Sequence, residues 1–272
     1  MLNNFEILIS TQNIKNNSEI DQLIKDMNIK SKNIVINQCQ KNTNVYYKNV
    51  INMNEKGLSK SRNKAINEST AEIILFADDD VRYHDDYEQL IEKSFEKNKN
   101  ADIICFYVRS LNKKRKTKRV ITKKVGYIKS MRITSFEICC RRKSIIENNI
   151  KFNENFGSGT KYNRGEEQIF LFEAIRKGLK IIFINKEIGT VKQTESSWFK
   201  KYDSEYFRIQ GRVYKELTPK YYKFWIYQYA IRKYKEYHKN ISLKNVIKNM
   251  MIGANEWGKR NKNEKSIICN RK

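Results

Sequence analysis

The sequence predicts an α/β domain with a largely parallel sheet, followed by a helical extension. Three observations carry that expectation. Apolar runs of strand length alternate with helically spaced segments from residue 5 to residue 108. The early strand candidates run into polar loops at their carboxyl ends. From residue 196 onward strand patterns stop, and two or three helices follow. The expected division is therefore an α/β domain over 1–195 and a basic, aromatic-rich helical extension over 196–272.

Taken in order, FEILIS (5–10) is a buried strand leading into STQN. Residues 18–27 form a helix, with Ser18 as N-cap and Ile20, Leu23, Ile24 and Met27 on its apolar face. NIVIN (33–37) is the second strand. Residues 57–69 are helical on Leu58, Ala65 and Ile66, and EIILFA (72–77) is a strand running into Asp78, Asp79 and Asp80. A helix over 85–98 carries Tyr87, Leu90, Ile91 and Phe95 at spacings of three and four, and DIICFYV (102–108) is again a strand. ITSFEICCRR reads as a strand, 144–149 as a short helix, and FGSGTKYNRGEE (156–167) as a glycine-rich loop. Residues 168–177 form a helix and KIIFIN (180–185) the final strand. Within the extension, 221–238 reads as one aromatic, basic helix.

Composition excludes several classes. The chain has 272 residues, 39% of them hydrophobic and 12% aromatic, too many for a disordered tail. There is one Pro, so no proline-rich linker, and no apolar run long enough to cross a bilayer. MLNNFEILIS lacks a basic leader and a cleavage site, so a cytoplasmic chain is expected. The five cysteines form no CxxC pair and are expected to be reduced, the vicinal Cys139 and Cys140 as core thiols on a strand. Two histidines, His84 and His238, exclude a His-rich zinc site. Fifty-five Lys or Arg against 30 Asp or Glu give a net charge of +25. The excess includes the run at 113–124 and 19 basic against 6 acidic residues from 200 to 272. It reads either as solvated basic faces or as a polyanion or lipid contact. No helix-turn-helix, zinc-finger or RNP signature accompanies it, so nucleic acid is not an expected partner.

The chemistry concentrates at strand ends, where ligands bind in open α/β sheets. Asp78, Asp79 and Asp80 end the most hydrophobic strand. Three adjacent carboxylates repel one another. A hard divalent cation relieves that cost, with diphosphate oxygens completing its shell. Strand alternation sends Asp78 and Asp80 to the same side, as an Asp-x-Asp site requires. A helix N-terminal cluster is the other reading.

The segment KGLSKSRNKAINESTAEIILFADDDV (56–81) resembles the signature of family-2 glycosyltransferases of the GT-A fold. These show a Gly-Leu-Ser-x-Ala-Arg-Asn helix before an apolar strand ending in Asp-x-Asp. ISTQN resembles the family's first-strand Pro-Thr-Tyr-Asn, with Ser10 for Pro and Gln12 for Tyr. Gly165-Glu166-Glu167 is similar to its Gly-Glu-Asp motif. The resemblance covers roughly residues 5–190 and extends to bacterial members that assemble capsule, exopolysaccharide or lipopolysaccharide. It implies a Rossmann-like mixed sheet flanked by helices. It also implies an inverting transfer of a sugar from a nucleotide-diphosphate donor to a saccharide or lipid-linked acceptor.

The same resemblance implies the site. Asp78 would contact the ribose and share the metal, Mn²⁺ or Mg²⁺, with Asp80; Asp79 lies between them. Thr11 and Asn13 would line base and ribose, and Arg62 and Asn63 would border the nucleotide pocket. Glu167 would be the general base, with Glu166 beside it, and Gly157 and Gly159 would let backbone approach the sugar. Three positions depart from the family pattern. Asn37 or Gln38 replaces the second-strand acid that reads the base, and an amide can pair with uracil, which favours a UDP-sugar. Glu167 is one methylene longer than Asp, and Gln193 stands where many members carry a metal-binding His.

The alternatives from other classes are a metal-dependent nucleotidyltransferase and a non-catalytic polyanion-binding protein. For residues 221–238 two readings stand: a helix at an anionic membrane surface, peripheral on the inner face of the plasma membrane, or a helix packed on the domain.

Overall fold

The computed structural model describes residues 5–39, 43–111, 123–192 and 201–269, with side chains up to residue 260. Most of the basic run at 113–124, and Gln193, lie outside the described residues. The chain divides into two compact units. The first comprises Met1–Asn155 and Glu166–Glu195, the second Phe156–Gly165 and Ser196–Lys272. The expected domain of 1–195 thus differs by one segment: the glycine-rich loop belongs to the second unit.

Among the described residues the first unit is built on a nine-stranded mixed sheet. Its strands are β1 (Phe5–Gln12), β2 (Lys32–Gln38), β3 (Val50–Met53), β4 (Ile73–Asp78), β5 (Val81–Tyr83), β6 (Ile103–Ser110), β7 (Lys123–Lys124), β8 (Ile138–Arg141) and β9 (Ile181–Val191). Their order is β3-β2-β1-β4-β8-β6-β9-β5, with β7 beside β9. The β3-β2-β1-β4 half is parallel. β8 runs antiparallel between β4 and β6 and carries Cys139 and Cys140 as buried free thiols. The GT-A expectation of a mixed sheet flanked by helices holds.

Strand alternation sorts the core into two layers. Ile7 and Ile9 of β1 face one layer with Val35 and Leu75. There they meet α1 (Asn17–Asp26) through Ile20 and α3 (Tyr87–Lys97) through Tyr87, Ile91 and Phe95. Leu8, Ile36, Ile74 and Phe76 face the other. That layer is covered by α2 (Leu58–Glu68), α5 (Arg142–Glu147) and α6 (Glu166–Arg176). Phe76 meets Phe152 and Phe170 edge-on, and the latter two stack at 4.3 Å. A short α4 (Tyr127–Ser130) completes the unit.

Several local expectations are corrected. The cap of α1 is Asn16, whose side chain accepts the Glu19 N–H, while the Ser18 hydroxyl donates to Asn16. Residues 135–137 form a 3₁₀ turn that shortens the expected strand to 138–141. β4 reaches Asp78, but Asp79 and Asp80 form a turn into β5, so strand alternation does not orient Asp80.

The second unit holds α7 (Ser204–Leu217), α8 (Tyr222–Arg232), α9 (Tyr234–Tyr237) and α10 (Leu243–Cys269). The expected single helix over 221–238 breaks at Lys233. No helix among the described residues is long and apolar enough to cross a membrane. α7 and α10 pack backbone to backbone through a reciprocal pair of glycines. A Cβ on Gly211 would collide with the Met250 carbonyl, and one on Gly253 with the Arg208 carbonyl. Both obstacles are helix backbone and cannot swing aside, so the helices would have to separate. Gly258 differs, because its added Cβ would meet only the flexible end of Lys215 at 3.2 Å.

Gly211→Ala and Gly253→Ala are therefore each expected to destabilise this unit by about 2–4 kcal/mol, as overpacking in a tight core does. Gly258→Ala should be neutral or mildly stabilising, because Ala favours a helix. All three tryptophans lie between 196 and 272, so tryptophan fluorescence during thermal melting reports on this unit. Equal melting of Gly211→Ala and Gly258→Ala would refute the backbone contact.

Candidate active site

The carboxyl ends of β1, β2 and β4 converge with the start of α2. Ser10 and Thr11 are buried at the end of β1. The Ser61 hydroxyl of α2 donates to Ser10 at 2.7 Å, and Thr11 donates to Asp79 at 2.7 Å. The next residues turn away from the strand with Asn13 at φ 58°, a left-handed conformation that Asn tolerates better than most residues. Asn13 is exposed, and its backbone N–H donates to the Gln38 carbonyl at 3.1 Å.

Asn37 and Gln38 are buried, and their amides are engaged inside the protein. Asn37 accepts the Ile14 N–H at 3.0 Å and donates to the Ile14 carbonyl and to Asn52, each at 2.9 Å. Gln38 accepts the Gly57 N–H at the cap of α2, at 2.7 Å. The Asn37 amide and the Gln38 side-chain oxygen thus shape the loop after β1 and the entry to α2. Asn63 is likewise engaged. It exchanges two hydrogen bonds of 2.9 Å with the Phe152 backbone and donates to Glu154, so it anchors segment 152–154.

Arg62 is the centre of the arrangement. It is 1% exposed, on the inner face of α2. Its Nη2 donates to Asp78 at 2.8 Å and to Ser135 at 2.6 Å, and its Nη1 to Glu166 at 3.2 Å. The guanidinium also lies over the Phe152 ring, 5.3 Å from the centroid. Burial opposes its charge, but Asp78 and then Glu166 outweigh that effect and hold the proton more firmly than water does. Ser135 bridges the same groups, donating to Asp78 at 3.4 Å. Nothing in the sequence marked it, because it sits in a 3₁₀ turn within a segment read as a strand.

The two glutamates occupy the first turn of α6, where the helix N-terminus favours negative charge. This places the helix start two residues earlier than expected, at Glu166. Glu166 is buried and ion-paired with Arg62. Glu167 is half-buried and forms no ion pair among the described residues. Its carboxyl is pushed well above the usual range by burial and then by the charge of Glu166.

In the aspartate turn, Asp78 pairs with Arg62, whereas Asp79 and Asp80 meet no cation among the described residues. Asp79 is exposed as a residue, but crowding by protein around its carboxyl raises it despite the Thr11 hydrogen bond. Asp80 still touches solvent, but crowding by protein, followed by the charges of Asp78 and Asp79, pushes it up to about 7. This donor set fits a hard divalent cation only in part. Among the described residues no three His, Cys, Asp or Glu side chains cluster to hold a metal by themselves. One or two carboxylates with an exposed side suit a cation whose remaining ligands are phosphate oxygens and water. His84 takes no part here, since its imidazole pairs with Glu187 at 3.0 Å.

The structure therefore brings Thr11, Arg62, Asp78, Asp79, Asp80, Glu166 and Glu167 into one region of the first unit. Asn37, Gln38 and Asn63 hydrogen-bond the backbone beside it. Gly157 and Gly159, both at positive φ, lie in the loop of the second unit.

Comparison with known proteins agrees with this architecture. Residues 31–168 match the model of "Glycosyl transferase family 2". Among solved structures the chain is similar to S. aureus TarS 1-349 in complex with UDP-GlcNAc. The TM-score is 0.58 at 15% identity, over 87% of this chain and 74% of that one. It is also similar to the mannosyltransferase PcManGT from Pyrobaculum calidifontis in complex with GDP-Man and Mn²⁺. There the TM-score is 0.52 at 10% identity, over 91% and 73% of the two chains. No curated protein matches the chain. At such identities the structures establish the GT-A fold, and the sequence match, which spans the aspartate turn and ends just past the glutamate pair, establishes the family. The chain belongs to glycosyl transferase family 2.

Proposed function

We propose that this glycosyltransferase is an inverting enzyme of bacterial surface polysaccharide synthesis. In this reading it moves a sugar from a nucleotide-diphosphate donor, with UDP-sugars favoured, to a hydroxyl of a saccharide or lipid-linked acceptor. It works in the cytoplasm, at the inner face of the plasma membrane. The observation that carries the reading is the assembly, around one buried guanidinium, of an aspartate turn and a glutamate pair nearly ninety residues apart in sequence. TarS bound to UDP-GlcNAc and PcManGT bound to GDP-Man support a nucleotide sugar as donor.

The roles follow from the chemistry of each group. Glycosyl transfer passes through an oxocarbenium-like state, with negative charge growing on the leaving diphosphate. Asp80, with Asp78, would hold Mn²⁺ or Mg²⁺, which supplies electrostatic stabilisation of that charge. Thr11 fixes Asp79, while the exposed Asn13 lies beside the nucleoside. Asn37 and Gln38 shape that pocket from behind. Glu167 accepts the proton of the acceptor hydroxyl. Its raised pKa makes it a stronger base near neutral pH. Glu166, locked to Arg62, holds Glu167 in place and raises its basicity by repulsion. Attack from the face opposite the leaving group inverts the anomeric carbon.

Asp80→Ala is expected to abolish transfer and any Mn²⁺-dependent gain in nucleotide affinity, read by isothermal titration. Because protons and metal compete for Asp80, apparent Mn²⁺ affinity should strengthen as pH rises through about 7. Full activity in excess EDTA would sink the metal assignment. Release of inorganic diphosphate instead of a nucleoside diphosphate would identify a nucleotidyltransferase.

Glu167→Gln should lower turnover by ~10²-fold or more while leaving donor binding nearly intact. It should also change stability with a definite sign. A carboxyl whose folded-state pKa is raised weakens the fold increasingly as pH rises from its unfolded value through the folded one. The variant should therefore melt higher than wild type at pH 7–8 by calorimetry, with the difference vanishing toward about pH 4. A melting point lower than wild type at neutral pH would contradict this electrostatic account. If Glu166→Gln alone were inactive, the base would be Glu166.

A further inference from the structure

Helices α8 and α9 present two faces of different character. Ile226, Tyr229, Ala230 and Tyr237 are buried within the second unit. Tyr221, Phe224, Tyr227, Ile231 and Tyr234 are 46% to 68% exposed. Within α8, Phe224, Tyr227 and Ile231 are three and four residues apart and lie on one stripe, with Tyr221 at the cap and Tyr234 at the start of α9 exposed at either end. Exposed Lys220, Lys223, Arg232 and Lys235 accompany the stripe. From 220 to 237 five Lys or Arg stand against one acidic residue, Glu236, which pairs with Lys233 and leaves four cations unpaired by it. The other exposed large apolar side chains among the described residues are scattered over the first unit.

We propose that this face docks reversibly on an anionic lipid bilayer. Neither half of its chemistry accounts for the other alone. Solvation explains the cations but not a continuous row of exposed aromatic and aliphatic side chains, which water disfavours. A nucleic acid or acidic polysaccharide would engage the cations and leave Phe224 and Ile231 without a role. A second copy meeting the same face would bring Lys220, Lys223, Arg232 and Lys235 against the same four cations. An anionic bilayer interface satisfies both at once. Rings and aliphatic tips enter at headgroup depth, and Lys and Arg reach the phosphates. The inference concerns where the enzyme sits and stands whether or not the proposed donor and acceptor are correct.

The test is co-sedimentation of the full chain with phosphatidylcholine vesicles and with vesicles that also contain phosphatidylglycerol. Binding to the anionic vesicles only, weakened by salt, is expected. Each basic residue near the headgroups contributes about fivefold to partitioning. Lys220→Glu, Lys223→Glu and Lys235→Glu combined should therefore weaken binding by at least ~100-fold. Phe224→Ser with Ile231→Ser should also abolish sedimentation while keeping all cations, which separates insertion from pure charge attraction. Both variants alter exposed side chains and should keep the wild-type melting point and the wild-type turnover on a soluble acceptor. The proposal is overturned by absence of binding at low salt, by equal binding to neutral vesicles, or by full binding of the Ser variant. A wild-type oligomer that the Ser variant converts to monomer would also overturn it, by showing that a second copy covers the stripe.

Discussion

The organisation of the candidate site depends on a single buried cation. Arg62 is enclosed, and its enclosure is tolerable only because Asp78 and Glu166 lie against it. Removing one partner of such a network leaves an unpaired buried charge, at a cost of about 3–5 kcal/mol. The pairing also fixes geometry. Asp78 ends β4 and Glu166 begins α6, so the guanidinium sets the separation between the aspartate turn and the glutamate pair. Ser135 adds a third strut from the turn before β8.

This arrangement sorts the carboxylates by surroundings. Asp78 and Glu166 share the single positive charge of Arg62. Their neighbours Asp79, Asp80 and Glu167 form no ion pair among the described residues, and crowding by protein together with adjacent charge raises all three. A site with surplus negative charge stores electrostatic cost that a bound cation or a transferred proton relieves. Carboxylates paired with Arg62 and carboxylates without an ion pair are therefore sequence neighbours with opposite electrostatic surroundings.

The loop preceding the glutamates is held by other means. Phe156 and Tyr162 pair across it and both pack edge-on against Trp257 of α10. Trp257 donates to Glu216 at 2.7 Å, and Arg212 stacks over Tyr162. Gly165, at φ 90° and with Val213 2.7 Å from where a Cβ would stand, leaves no room for a side chain. The basic extension thus organises the segment that leads directly into Glu166 as well as presenting an exposed face.

Much of this was legible in the sequence. The apolar runs at 5–10, 33–37, 72–77 and 102–108 became β1, β2, β4 and β6, because continuous hydrophobicity suits strands buried on both faces. The aspartate turn and the glutamate pair were legible as motifs, since carboxylates at element ends carry chemistry wherever the fold places them. Short β5 and polar β7 were not legible. Three and two residues carry no periodicity, and they become strands only because β9 supplies a partner. For Asn37, Gln38 and Asn63 the sequence gives only their places at element ends, and tertiary structure decided which backbone groups their amides bond. Local backbone from Ile14, Gly57 and Phe152 claimed those hydrogen bonds. For 221–238 the sequence showed an almost all-round apolar helix, and only packing revealed which face the unit buries and which it leaves to solvent. Sequence by itself determined residue type and local period, and with them the family and the charged chemistry of the site. Pairings across a hundred residues, such as Arg62 with Glu166, depend on chain path, and only the tertiary structure decided them.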